Sequence, residues 1–328
     1  MIAAAVFGLV TPVIAACSGG PGASGTVPAA ALPPTGAQSV LRSASSLEPD
    51  TIKYTFTTLD DAADPTFNQL LGINTAGEIA GYFGSGAAGH PNQGYTLVKP
   101  YGQNNYTSEN FPGSVQTQVT ALNNKHDTAG FWVNAKGTNF GFVEWNGVFS
   151  SYKDPNTGTG TVNQILGIND SGIAVGFYVD AKGKSHAYEV NQATSVFTAL
   201  TPTGTHNAVA TGINDNGDVT GFGTAGNGSI VGFLLTKGKY SEFDFPGSTN
   251  TTPLGINATD VMVGSYVDSA GATHGFRLAN PLTHATWQSF DDPNGVGTTV
   301  ANGLNNAGDV VGFYVDSAGN TDGFLAKP

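Results

Sequence analysis

From Leu71 to the C-terminus the chain alternates short apolar runs, rich in Val, Ile, Phe and Tyr, with breaks rich in Gly, Asn and Asp. No stretch carries a helical period, whereas runs of five to eight residues between tight turns predict antiparallel strands. The pattern recurs six times. Each copy opens on Gly-Ile-Asn or a close variant, anchored at Ile73, Leu122, Ile168, Ile213, Ile256 and Leu304, with spacings of 49, 46, 45, 43 and 48 residues. A period of that length means a solenoid or a propeller.

Each copy divides into four strands. In the third they are expected over 162–169, 173–180, 185–190 and 195–200, joined by turns such as Asp170-Ser171-Gly172, whose glycine can take positive φ. The sixth copy reaches Pro328 after only three strands, while 53–60 reads as an orphan fourth strand resembling 240–244 and 287–291. The fold class is therefore all-β: a six-bladed β-propeller of four-stranded antiparallel blades over 51–328, its ring closed by an N-terminal strand that completes the last blade. Such closure leaves no open sheet edge.

Composition narrows the partners. Glycine is 46 of 328 residues without a Gly-X-Y period, so its use is in turns rather than collagen. Twelve Lys+Arg against 24 Asp+Glu leave a formal charge of −12, which excludes a nucleic-acid binder and favours metal cations, basic peptides or neutral glycans.

Residues 1–16 are uncharged and end Val13-Ile14-Ala15-Ala16 before Cys17, the only cysteine. This matches a bacterial lipobox: a cleaved signal peptide whose new terminal cysteine takes lipid and anchors the chain to a membrane. Residues 17–50, with Ser-Gly-Gly-Pro-Gly and Leu-Pro-Pro-Thr-Gly, read as a flexible linker holding the domain off that surface. The expected address is an outer-membrane or cell-surface lipoprotein, otherwise a secreted protein.

Residues that recur in every copy are explained by the fold before chemistry. Asn74, Asn123, Asn169, Asn214, Asn257 and Asn305 end one strand and suit a turn. Tyr95, Phe142, Tyr188, Phe233, Phe276 and Phe324 share one strand site and should pack between blades. Over roughly 68–326 the chain resembles the HAF-type bacterial extracellular repeat family, through His186-Ala187-Tyr188, His274-Gly275-Phe276 and the Gly-Ile-Asn-x-x-Gly motif. Four copies carry Gln93, Phe140, Val231 and Asp322 at the histidine position. The resemblance implies an exported repeat protein and no agreed activity.

In a four-stranded meander, the second-to-third loop and the loop into the next blade emerge on one face. That face collects Asp154, Asp180, Asp244, Asp268, Asp291 and Asp316, with His186, His206 and His274. Aspartate starts and solubilises turns, and the same set read as a ligand rim would take a cation, calcium being the candidate cofactor. No EF-hand loop, His-Glu-x-x-His or Gly-x-Ser-x-Gly motif is present, so no catalytic residue is assigned. Two functions stay open: a cell-envelope binding or structural module for a glycan or surface protein, or a propeller enzyme of lyase or lactonase type with a metal at the channel mouth. Polar side chains converging on the central channel would mark the enzyme.

Overall fold

A computed structural model describes residues 46–47 and 52–328. The signal segment 1–16, Cys17 and nearly all of the linker 17–50 lie outside the described residues. Six four-stranded units follow one another along the chain. Blade 1 runs Asn68–Ile73, Ile79–Phe83, Gln93–Leu97 and Tyr106–Ser108, and blade 2 runs Gln116–Leu122, Thr128–Val133, Asn139–Trp145 and Val148–Tyr152. Blade 3 comprises Asn163–Ile168, Ile173–Val179, Ser185–Asn191 and Val196–Leu200, each within two residues of expectation. Blade 4 holds Thr205–Ile213, Val219–Ala225, Ile230–Thr236 and Lys239–Phe243, and blade 5 holds Asn250–Ile256, Met262–Val267, Thr273–Ala279 and Thr286–Phe290.

Blade 6 takes three strands from the C-terminus, Thr299–Leu304, Val310–Val315 and Thr321–Lys327, and its fourth from the N-terminus. That strand, Thr55–Thr58, pairs antiparallel with Thr321–Lys327, Thr55 opposite Lys327 and Thr58 opposite Phe324. Blade 6 in turn abuts blade 1, where Thr321 donates its N–H to Thr66 O. Within the segment read as linker, Ser46–Leu47 pair in parallel with Thr286 and Trp287 at the outer edge of blade 5.

The expected aromatic site is the core of every blade. Tyr95, Phe142, Tyr188, Phe233, Phe276 and Phe324 are at most 1 % exposed. Each lies opposite a second-strand glycine, as Tyr188 does opposite Gly176, so the ring covers bare backbone. The glycine is required sterically: a Cβ on Gly176 would sit 1.9 Å from Gln164 O on the first strand.

Candidate functional site

The first strands surround the axis, and each carries a β-bulge just before Gly-Ile-Asn. A bulge turns one extra side chain out of the alternation. Here the extra residues are Leu71, Thr120, Leu166, Thr211, Leu254 and Asn302, and those six line a cavity of about 30 Å³ on the axis. Leucine alternates with a polar residue around the ring. Each polar one clasps the next blade: Thr120 Oγ1 donates to Ile165 O at 2.9 Å, Thr211 Oγ1 to Pro253 O at 2.9 Å, and Asn302 Nδ2 to Leu70 O at 2.9 Å.

The glycine that follows the bulge brings neighbouring strands together. A Cβ on Gly303 would lie 2.7 Å from Leu71 O, so only glycine permits this approach between blades 6 and 1. Beyond it, the Ile and Leu of Gly-Ile-Asn form the floor of a second cavity of about 80 Å³ at the channel mouth, with the six motif asparagines around it. Its outer lip is Thr75, Asn124, Asp170, Asp215, Ala258 and Asn306. Lip side chains serve the preceding blade's backbone, as where Asp170 Oδ1 accepts from Asn124 N at 2.7 Å and Asp215 Oδ1 from Asp170 N at 2.9 Å.

The acidic rim lies at the other end of the axis, and its aspartates are divided among separate tasks. Asp180 Oδ1 accepts from Lys182 N and Lys184 N at 2.8 and 3.0 Å, while Oδ2 meets His186 Nε2 at 3.0 Å. The backbone bond from Lys184 and then His186 hold its carboxyl down at about 2. Asp268 repeats the turn with Ala270 N and Ala272 N. His274 joins two rim residues, Nδ1 to Asp291 Oδ2 at 2.8 Å and Nε2 to Asp268 Oδ2 at 3.4 Å. Burial works to lower the His274 pKa, and the two carboxylates outweigh it and raise it. Asp316 caps its own turn through Ala318 N and Asn320 N, both at 2.8 Å.

The remaining rim residues stand apart. Asp154 is buried and receives Asn156 N at 2.8 Å, Asp244 is exposed before Phe245, and His206 is exposed on the first strand of blade 4. Among the described residues, no group of three or more His, Cys, Asp or Glu is arranged to hold a metal ion.

Sequence reasoning missed two features. The bulge ring was readable as the residue preceding each Gly-Ile-Asn, where Leu alternates with Thr or Asn. The other is a row of ring stacks along the rim: Phe111 on Trp132 at 4.2 Å and Trp132 on Phe140 at 4.9 Å in blade 2, Tyr178 on His186 at 5.0 Å in blade 3, and Phe245 on Tyr266 at 3.7 Å and Tyr266 on His274 at 5.1 Å in blade 5.

No protein-family model matches the chain, and no curated protein sequence is significantly similar to it. In three dimensions it is similar to a putative TolB from Agrobacterium tumefaciens, with 11 % identity, a TM-score of 0.55, and coverage of 80 % of this chain and 91 % of that one. A fungal lectin of Aleuria aurantia, described as a six-bladed β-propeller with a novel fucose recognition mode, superposes at 12 % identity and a TM-score of 0.48 over 78 % of this chain and 90 % of its own. The likeness is one of fold: the chain is a β-propeller. Among the described residues no helix is long and apolar enough to cross a membrane.

Proposed function

We propose that this chain is an exported binding module of the cell envelope, anchored by lipid on Cys17, which engages a glycan or surface protein through the faces of its ring. The observation that carries this reading is the bulge ring, where three leucines alternate with two threonines and an asparagine that already clasp neighbouring blades. A lyase or lactonase would instead converge carboxylates or imidazoles on the channel. The lipobox before Cys17 and the HAF-type resemblance support export and anchoring.

The test is binding of the full chain to a glycan array and to isolated envelope fractions, with lactone turnover assayed alongside. Saturable binding without turnover is expected. Turnover that survives repurification and disappears with Asp215→Asn at the mouth would replace this reading by the enzyme. Cys17→Ala should move the protein out of the membrane fraction, and unchanged fractionation would remove the anchor.

A further inference from the structure

At the rim blade 6 departs from blades 2, 3 and 5, whereas blades 1 and 4 have Phe83 opposite Gln93 and Gly223 opposite Val231 at the same register. In blades 3 and 5 a tyrosine on the second strand, Tyr178 or Tyr266, faces a third-strand histidine, His186 or His274. Each histidine stacks on its tyrosine and bonds the turn aspartate, Asp180 or Asp268. In blade 2 the same slot holds Trp132 opposite Phe140, and Lys153 Nζ lies 5.4 Å from the Phe140 ring centroid. The slots of blades 2, 3 and 5 thus each contain a basic side chain of their own.

In blade 6 the slot holds Tyr314 opposite Asp322, beside the turn aspartate Asp316. Asp60, which follows the closing strand, stands where blade 2 has Lys153. Its carboxylate takes Gly323 N at 2.8 Å. The fourth acid is Asp292. Its N–H donates to Thr299 Oγ1, as Phe111 N does to Thr117 Oγ1 and Phe245 N to Thr251 Oγ1, so it occupies the position from which those rings stack on Trp132 and Tyr266. Asp292 is 2 % exposed and its Oδ2 is buried without a partner.

An unpartnered buried carboxylate oxygen is costly, and a donor that reaches it recovers the loss. The fields of these groups overlap: Asp322, Asp292 and Asp60 all raise the Tyr314 hydroxyl, after burial itself. No Lys, Arg or His makes an ion pair with any of the four aspartates among the described residues.

We propose that blade 6 receives from a partner the basic side chain that blades 2, 3 and 5 supply for themselves, namely an arginine guanidinium carried on a basic protein segment. Tyr314 is 3 % exposed, so the slot presents its carboxylates rather than its ring: Asp60, Asp316 and Asp322 are half-buried, which suits a cation that donates in a fork. A metal ion would need oxygens converging on one point, and the described residues contain no such group. The chain's charge of −12 adds long-range attraction for a basic partner. This inference rests on the binding-module reading and narrows its partner to a protein.

The experiment is calorimetric titration of the full chain with a hexa-arginine peptide at low and physiological salt, on the parent, Asp322→Asn, Asp322→His and the rim control Asp244→Asn. Asp322→His installs the residue that blades 3 and 5 carry, so it should fill the slot internally. Saturable binding is expected, weakened at least about tenfold in both Asp322 variants and within about twofold of the parent in the control. Thermal melts confirm folding, and Asp322→Asn, near-isosteric, covers a failure of the histidine variant. Equal binding by all four proteins would mean diffuse charge attraction and overturn the assignment. A calcium-induced rise in melting temperature lost in Asp322→Asn would overturn it in favour of a metal. Envelope binding that persists undiminished in Asp322→His would overturn it and leave the module reading intact.

Discussion

Asn305 donates from Nδ2 to the main-chain carbonyl of Asn74 at 3.3 Å, across 231 positions of sequence. That bond closes a circle. Asn74 reaches Asn123 O, Asn123 reaches Asn169 O, Asn169 reaches Asn214 O, Asn214 reaches Asn257 O and Asn257 reaches Asn305 O, at 3.0 to 3.4 Å. Each Oδ1 meanwhile accepts from its own turn, as Asn305 does from Ala307 N and Asp309 N at 3.0 Å. One carboxamide thus fixes both a turn and the neighbouring blade.

Replacing Asn305 by alanine removes both roles in a buried site, so a loss of about 1–3 kcal/mol per unmade bond set is expected. Asn306→Ala, on the exposed lip, should cost less than about 1 kcal/mol. Urea unfolding of the two variants decides the matter. Equal losses would mean that the asparagine circle adds nothing beyond ordinary turn capping.

Gly176→Ala is expected to be far more damaging than Gly183→Ala. The first places a Cβ 1.9 Å from Gln164 O inside blade 3, forcing two strands apart, and overpacking of this kind costs several kcal/mol. Gly183 has φ +78° with no atom within 4 Å of its added Cβ, so only the left-handed backbone is penalised, by about 1 kcal/mol. Soluble yield and denaturant midpoints of both variants provide the comparison.

The blades, their order and the closing strand were legible because a six-fold repeat makes each copy a control for the others. The aromatic core at Tyr188 and its equivalents followed from the same comparison. The asparagine circle was not legible, since a turn role accounts for Asn169 completely until the next blade's carbonyl is seen 45 residues on. The rim was legible as a face but not as a site. Sequence places Asp180, Asp268 and Asp316 on one end of the ring, but that each Oδ1 is occupied by turn N–H groups depends on how the turn folds back on its own aspartate. The blade 6 slot needed both strands in register, because Asp322 is informative only opposite Tyr314.

Stability should rise as pH falls from about 7.5 to about 5. Burial, with Asp322 adding repulsion and Gly323 N opposing, raises Asp60 to about 6. Burial also raises Glu109, Glu144, Glu242, Asp292 and Asp322. A carboxyl that binds its proton more tightly when folded favours the folded state progressively as pH drops through that value. His274, raised by its two aspartates, acts in the same sense, since its contribution is lost as pH climbs through its folded pKa. The turn aspartates Asp180, Asp268 and Asp316 are lowered by backbone donors, so their contribution is present above about pH 4 and lost in stronger acid. A melting-temperature maximum near pH 4 to 5 is the expected result, with the slope between pH 5 and 7.5 reduced in Asp60→Asn. A flat profile, or a slope indifferent to that substitution, would contradict it.

Deleting residues 51–60 should bare the outer edge of blade 6. Thr55–Thr58 supply the outer strand of blade 6, Leu59 N bonds Gly323 O at 2.9 Å, and Phe56 packs edge-on against Phe324 at 5.5 Å between centroids. Without them the edge of Thr321–Lys327 is bare and can pair with another chain. The Asn305–Asn74 bond and the approach of Gly303 to Leu71 would remain, so the expected outcome is a destabilised propeller rather than an unfolded chain. A loss of several kcal/mol and concentration-dependent association are predicted, read by chemical unfolding and light scattering. Adding a peptide of residues 51–60 back should restore part of the stability, which general truncation damage would not allow. A truncated protein that unfolds at the parent's denaturant midpoint would show that the six blades are held by the axis alone.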